Sequence, residues 1–230
     1  MQKTGTTSNS IEVTNKEQVR QFAAANPEFF KNASSRFFSF NEKQIAAFDQ
    51  GLNWNQLAAN LFVEWTPNLV LNFADRWDWT VLSRNYQLPW TDELVEKVSP
   101  YINWASFSLN PKLPWSIKFL KKFESVWLWD QLSYNTGLPW GAELLAEFKH
   151  LWNWEYISLN EHIPWTEELL ALYEDELDWY ILSSNESLPW SEALIEKYSD
   201  RLEWPSLSGN SGIPWTPDLF EKYREDIDLW

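Results

Sequence analysis

The sequence predicts an all-α fold: an αα-solenoid of about seven to eight 25-residue helix-turn-short-helix repeats behind an N-terminal helical cap. Three observations predict it. Tryptophan recurs after proline at Trp90, Trp115, Trp140, Trp165, Trp190 and Trp215, in a register that extends back to Trp65. A second series, Trp54, Trp79, Trp104, Trp129, Trp154, Trp179 and Trp204, runs beside it, and both step by 25 residues without an insertion. A fixed period of that length marks a chain of stacked units. Within a unit, Leu94, Val95, Val98 and Ile102 fall at offsets of 0, 1, 4 and 8, one helical stripe that fits no strand alternation.

Residues 1–13 read as a flexible lead. Thr14 or Asn15 then caps a helix through Val19, Phe22 and Ala23 to about Ala25, which Asn26-Pro27 ends. Residues 28–40 are rich in Phe but lack the tryptophan motif. Shifted by 25, Phe40 falls on the Trp65 register, Ile45 on Val70, Phe48 on Phe73 and Leu52 on Trp77, so a degenerate repeat occupies about 40–60. Residues 14–39 are therefore expected to cap the array, and 40–230 to form it, with repeats starting near 40, 65, 90, 115, 140, 165, 190 and 215. End units of such arrays are atypical, because one face of each has no neighbour.

Each unit is expected to hold two helices. Thr91 is placed to cap the first, with Asp92 and Glu93 in the first turn, where carboxylates favour the open N–H groups. The equivalent positions are Thr66, Ser116, Gly141, Thr166, Ser191 and Thr216. In two units Pro67 and Pro217 follow the cap, the one helical site that favours proline. Asn53, Asp78, Asn103, Asn153, Asp178 and Glu203 precede the second tryptophan and cap a shorter helix. The unit closes on an asparagine, from Asn60 in steps of 25 to Asn210, which points to a left-handed C-cap or a side-chain bond to the turn. Leu-Pro or Ile-Pro follows, its first residue extended and plugging into the core.

The pattern Trp-x-x-Leu-Ser-x-Asn then Leu-Pro-Trp-[Ser/Thr], carried by residues 79–90, 179–190 and 204–215, resembles tandem Trp-rich helical repeats of proteins from bacteria and giant DNA viruses. The resemblance covers about 54–230 and implies a repeat scaffold without an activity. Tetratricopeptide, ankyrin and HEAT units differ, with periods of about 33 to 47 residues.

Eighteen tryptophans invite a sugar-binding reading, yet seven fill each main register. Trp77, Trp127 and Trp152 share a third register with Ile102, Leu177, Leu202 and Ile227, and a position that exchanges Trp for Leu or Ile is a core position. Each buried indole N–H then needs an acceptor, from the next unit's backbone or from the repeated Asn. The formal charge of −15 argues against nucleic acid or an anionic membrane as partner. There is no Cys, no apolar run long enough to span a bilayer and no visible signal sequence, so a cytoplasmic protein is expected. Asn32-Ala33-Ser34 and Asn185-Glu186-Ser187 match the glycosylation pattern by chance.

No catalytic constellation stands out. Asp92-Glu93 and Glu167-Glu168 sit in first helical turns, and His150 and His162 have no metal-binding partner motif. The expectation is a non-enzymatic scaffold with no cofactor and no metal, binding a protein or peptide through positions that vary between units; the alternative is a carbohydrate- or small-ligand-binding module using exposed aromatics. The variable positions are Arg84, Tyr86, Leu109, Tyr134, Tyr156, Leu159 and Tyr180. Lys118, Lys121 and Lys122, with Lys112 before them and Lys149 and His150 one unit on, read either as a solvated helix face or as a basic spot on the acidic chain that docks an acidic partner or a neighbouring copy.

Overall fold

A computed structural model describes residues 17–227, so the lead over 1–13, the cap at Thr14 or Asn15 and Trp230 lie outside the described residues. The chain is an all-α repeat solenoid, and no strand occurs among the described residues. It divides into two compact units, Met1–Ile102 and Asn103–Trp230.

In the first unit, residues 17–25 are helical, and Pro27–Phe37 follows with Pro27 in its first turn. The repeats then alternate Glu42–Phe48, Trp54–Ala58, Pro67–Asn72, Trp79–Leu82 and Asp92–Val98. Helices pack on their own kind: Trp54–Ala58 on Trp79–Leu82, and Pro67–Asn72 on Asp92–Val98. Pro27–Phe37 packs on Trp54–Ala58, in the place a preceding short helix would take. The second unit alternates Trp104–Ser108, Ile117–Lys122, Trp129–Ser133, Ala142–Glu147, Trp154–Leu159, Glu167–Leu172, Trp179–Leu182, Glu192–Tyr198, Trp204–Ser208 and Pro217–Lys222. There too successive short helices stack, from Trp104–Ser108 through Trp179–Leu182.

Helices of four to seven residues are far below the length that is stable alone. Their ends are therefore secured individually. Thr66, Thr91, Ser116, Thr166, Ser191 and Thr216 each accept the N–H three residues on. Asn53, Asp78, Asn103, Asn153, Asp178 and Glu203 do the same for the short helices. Gly141 and Leu128 are the exceptions, without a side-chain cap bond.

Two expectations need correction. The apolar stripe through Ile102 suggested a longer first helix, but the helix stops at Val98. The chain leaves it through a tighter turn, in which Tyr101 N–H donates to the Val98 carbonyl, and Ile102 is delivered to the core from that turn. Nor is the closing asparagine a left-handed C-cap: no residue among those described lies in the left-handed region.

Its side chain instead ties its own turn to the turn of the preceding unit. Asn135 shows the arrangement. Its Nδ2 donates to the Ser108 carbonyl (2.7 Å) and the Asn110 carbonyl (3.3 Å) of the preceding unit, and its Oδ1 accepts from Gly137 N–H (2.7 Å). Asn210 repeats it on Ser183, Asn185 and Gly212, and Asn85 on Ala58, Asn60 and Gln87. Asn160 and Asn185 keep the bonds to the preceding serine carbonyl and to the turn. All of these asparagines are buried. Asn185 is therefore no glycosylation acceptor in the folded chain. At the N-terminal end, Asn60 Nδ2 donates instead to the carbonyls of Ser35, in the helix Pro27–Phe37, and Phe38, just after it.

The serine two residues earlier adds a second rung. Ser133 Oγ donates to the Trp129 carbonyl and accepts the N–H of Asn153, cap of the next short helix. Ser158 and Ser183 do likewise toward Asp178 and Glu203. Ser108 accepts from Leu128 N–H, so the rung survives where the cap side chain is missing.

The tryptophans divide by register. Trp65, Trp90, Trp140, Trp165 and Trp190 are buried, while Trp115 and Trp215 are half-buried. The indole N–H of Trp65, Trp90, Trp140 and Trp190 donates to the backbone carbonyl of the asparagine five residues before. So the acceptor is the repeated Asn, through its main chain; Trp115 and Trp165 hold the same position without this bond, for no visible local reason. Between Asn and Trp the chain tightens: each Trp N–H reaches the carbonyl two residues back, across the Pro or, at Trp65, across Glu64. That turn presses Leu88, Leu113, Leu138, Ile163, Leu188 and Ile213 into the core, as expected.

Asn135→Ala is expected to destabilise by about 2–4 kcal/mol in urea unfolding, since it orphans two buried carbonyls and one amide. Trp140→Ala is expected to cost about 3–5 kcal/mol, and the half-buried Trp154→Ala less. Equal effects at Trp140 and Trp154, or an unmoved midpoint in Asn135→Ala, would contradict this division of labour.

Candidate partner-binding surface

The second tryptophan register forms the boundary between core and surface. Apart from Trp179, which is buried, these rings are half-buried. Their faces are nonetheless engaged. Trp54, Trp104, Trp129, Trp154, Trp179 and Trp204 pack on Phe73, Phe123, Phe148, Tyr173, Tyr198 and Tyr223, each 19 residues on, with centroids 4.3–5.3 Å apart. Val98 occupies that position after Trp79, and Tyr101 substitutes by stacking on Trp79 at 18°. Trp54, Trp104 and Trp129 also meet Trp77, Trp127 and Trp152 edge-on. Each of these indoles thus has another aromatic ring packed against it.

The long helices carry charge between repeats. Lys121 pairs with Glu147 and Lys149 with Glu176, both at 2.5 Å. The Glu176 carboxylate holds the Lys149 ammonium above its ordinary range. Lys122 lies over the Phe123 ring at 5.7 Å. Lys118 is exposed on the same helix, Ile117–Lys122. Two lysines of the basic spot, Lys121 and Lys149, are thus matched by carboxylates one repeat on, and none of Lys118, Lys121 and Lys122 lines a recess described below. The Glu93 carboxyl is held below its usual range by its bond to Lys97, and Glu168 by bonds to its own backbone N–H and to Thr166. Helix-end chemistry accounts for both. Among the described residues, no group of three His, Asp or Glu side chains is placed to hold a metal ion.

The short-helix row is different. Leu109, Tyr134 and Leu159 occupy one register in three successive repeats, and all are exposed. With Asp130, Gln131 and Tyr156 they line one open recess in the second unit. A neighbouring recess shares Tyr134 and Leu159 and continues to Thr136, Glu161 and His162. The two form a groove across consecutive repeats, with tyrosine rings and leucines on its walls. The Gln131 Oε1 is buried from solvent and has no donor within the chain. Asp130 is steadied by Asn153 Nδ2 at 3.0 Å.

Four of the variable positions singled out in the sequence therefore come together. Arg84 and Tyr86 meet elsewhere, in a recess of the first unit. Tyr180, the most exposed of the set, lines neither. Sequence reasoning missed Gln131 and Asp130, which lie at variable positions inside a short helix, and Arg36, which lies outside the repeats. The signal for Asp130 was present: its repeat has Leu128 where others carry the cap Asn or Asp.

No protein family, curated protein or solved structure matches the chain. No helix among the described residues is long and apolar enough to cross a membrane.

Proposed function

We propose that the protein is a non-catalytic scaffold that docks a segment of a partner protein in the short-helix groove of its second unit. The observation that carries this reading is the groove itself: Leu109, Tyr134 and Leu159 in one register, joined by Tyr156. Exposed Tyr and Leu on a rigid repeated frame can anchor apolar side chains at low entropic cost, since tyrosine has few rotamers to lose. The exposed Asp130 carboxylate would meet a backbone N–H group or a basic side chain of the segment. The core does not vary with the groove: Leu132, Ser133 and Ile157, beside these residues, are buried. Surface positions are thus free to specialise while the frame stays fixed. The sugar-binding alternative is less favoured, because the indoles that would serve as platforms are half-buried and packed against other rings.

Panning displayed peptides against the full chain tests the proposal. Selected peptides are expected to carry a large apolar residue. They should lose about tenfold or more in affinity against Tyr134→Ala/Tyr156→Ala, while the melting temperature moves little because both residues are exposed. Selected peptides that bind the double variant unchanged would contradict the assignment, as would an indole fluorescence shift on oligosaccharide titration.

A further inference from the structure

Six arginines lie among the described residues, and four of them pair with carboxylates: Arg20 with Glu17, Arg76 with Asp49, Arg201 with Asp175 and Arg224 with Glu221. Arg36 and Arg84 have no carboxylate partner among the described residues, and these two line the same recess in the first unit. No Asp or Glu lines it. In a chain of formal charge −15, two unneutralised guanidiniums in one recess are a local inversion of the charge balance.

The recess is built for more than a bare ion. Leu61, Val81 and Tyr86 supply an apolar wall, and its volume of ≈350 Å³ has room for a small organic group. Arg36 comes from the helix Pro27–Phe37 and is half-buried. Its Nη1 donates to the Ala59 carbonyl, which fixes the guanidinium and leaves its other N–H groups to serve a ligand. A fixed guanidinium loses less entropy on binding. Arg84 is exposed and follows the short helix Trp79–Leu82.

We propose that this recess binds a phosphomonoester. The phosphate oxygens accept from Arg36 and Arg84, and the organic body lies against Leu61, Val81 and Tyr86. A phosphomonoester carries about −1.5 to −2 charges near neutral pH, which balances two guanidiniums; a single carboxylate balances one. Guanidinium and phosphate also match in bidentate geometry. The overall negative charge disfavours a polyanion such as nucleic acid. A compact dianion responds chiefly to charges within a Debye length of about 8 Å. This site is separate from the peptide groove of the second unit and stands or falls independently of it.

Calorimetric titration of the full chain with phenyl phosphate, inorganic phosphate and phenylacetate tests the proposal at about 0.15 M ionic strength, where that screening holds. Phenyl phosphate is expected to bind saturably at one site, and phenylacetate about tenfold more weakly or worse. Inorganic phosphate binding as tightly as phenyl phosphate would keep the arginine pair and identify free phosphate as the source. Arg84→Gln is expected to weaken phenyl phosphate about tenfold or more with an unchanged melting temperature. Arg36→Gln also removes the bond to Ala59, so the exposed Arg84 carries the test. No saturable binding, binding indifferent to Arg84→Gln, or phenylacetate as tight as phenyl phosphate would overturn the assignment.

Discussion

The fold depends on satisfying one buried amide. A fully buried asparagine side chain has two N–H donors and an acceptor oxygen that water cannot reach, and leaving them unmet costs more than the bonds return. At Asn135 all are met, and only because two carbonyls of the preceding repeat arrive at the right place. Asp would lose the donors, and Gln would carry the amide one carbon too far. The repeat length follows from this geometry: a unit one residue longer or shorter would present different carbonyls. The serine rung and the indole N–H reinforce the same step, since Ser133 ties Trp129 to Asn153 and Trp140 ties itself to Asn135.

Aromatic packing fills the space this ladder defines. Third-register rings lie at the centre: Trp127 meets Trp104, Phe107, Trp115, Phe119 and Phe123. Where the register has Leu177 or Leu202 instead, Tyr173 and Tyr198 are buried against Trp154 and Trp179. Large rings let helices of only four to seven residues bury a continuous core, because each ring covers more area than Leu or Val. The ladder fixes register and the rings supply the burial. Close approach of the turns is part of this. A Cβ at Gly137 would lie 2.0 Å from the Pro111 carbonyl oxygen, so this turn accepts only glycine unless its backbone moves.

Much of this was legible in the sequence, and for identifiable reasons. Helix starts could be read because capping is local chemistry: Thr91 needs only the N–H of Leu94. The period was legible because a repeated constraint repeats its residues. The role of the asparagine was not, since its partners lie 25 and 27 residues away and are main-chain atoms. The stop at Val98 was hidden for a related reason: a turn that delivers Ile102 to the core mimics one more helical turn in the apolar pattern. Of the candidate surface, Leu109, Tyr134, Tyr156 and Leu159 were found by their variability against a fixed core. Arg36 was not, because its helix lies outside the repeats and only the folded chain sets it beside Arg84.

The central claim is that the 25-residue step, held by Asn and Ser, is the unit of stability. Removing residues 141–165 joins Trp140 to Thr166 in perfect phase, and Asn185 then meets the turn that Asn160 met. Thermal unfolding followed by circular dichroism is the direct measurement. The account predicts that this deletion melts cooperatively with an unchanged helical signal per residue, whereas removing 141–152 alone does not. Loss of the cooperative transition in the in-phase deletion, or its survival in the out-of-phase one, would contradict it.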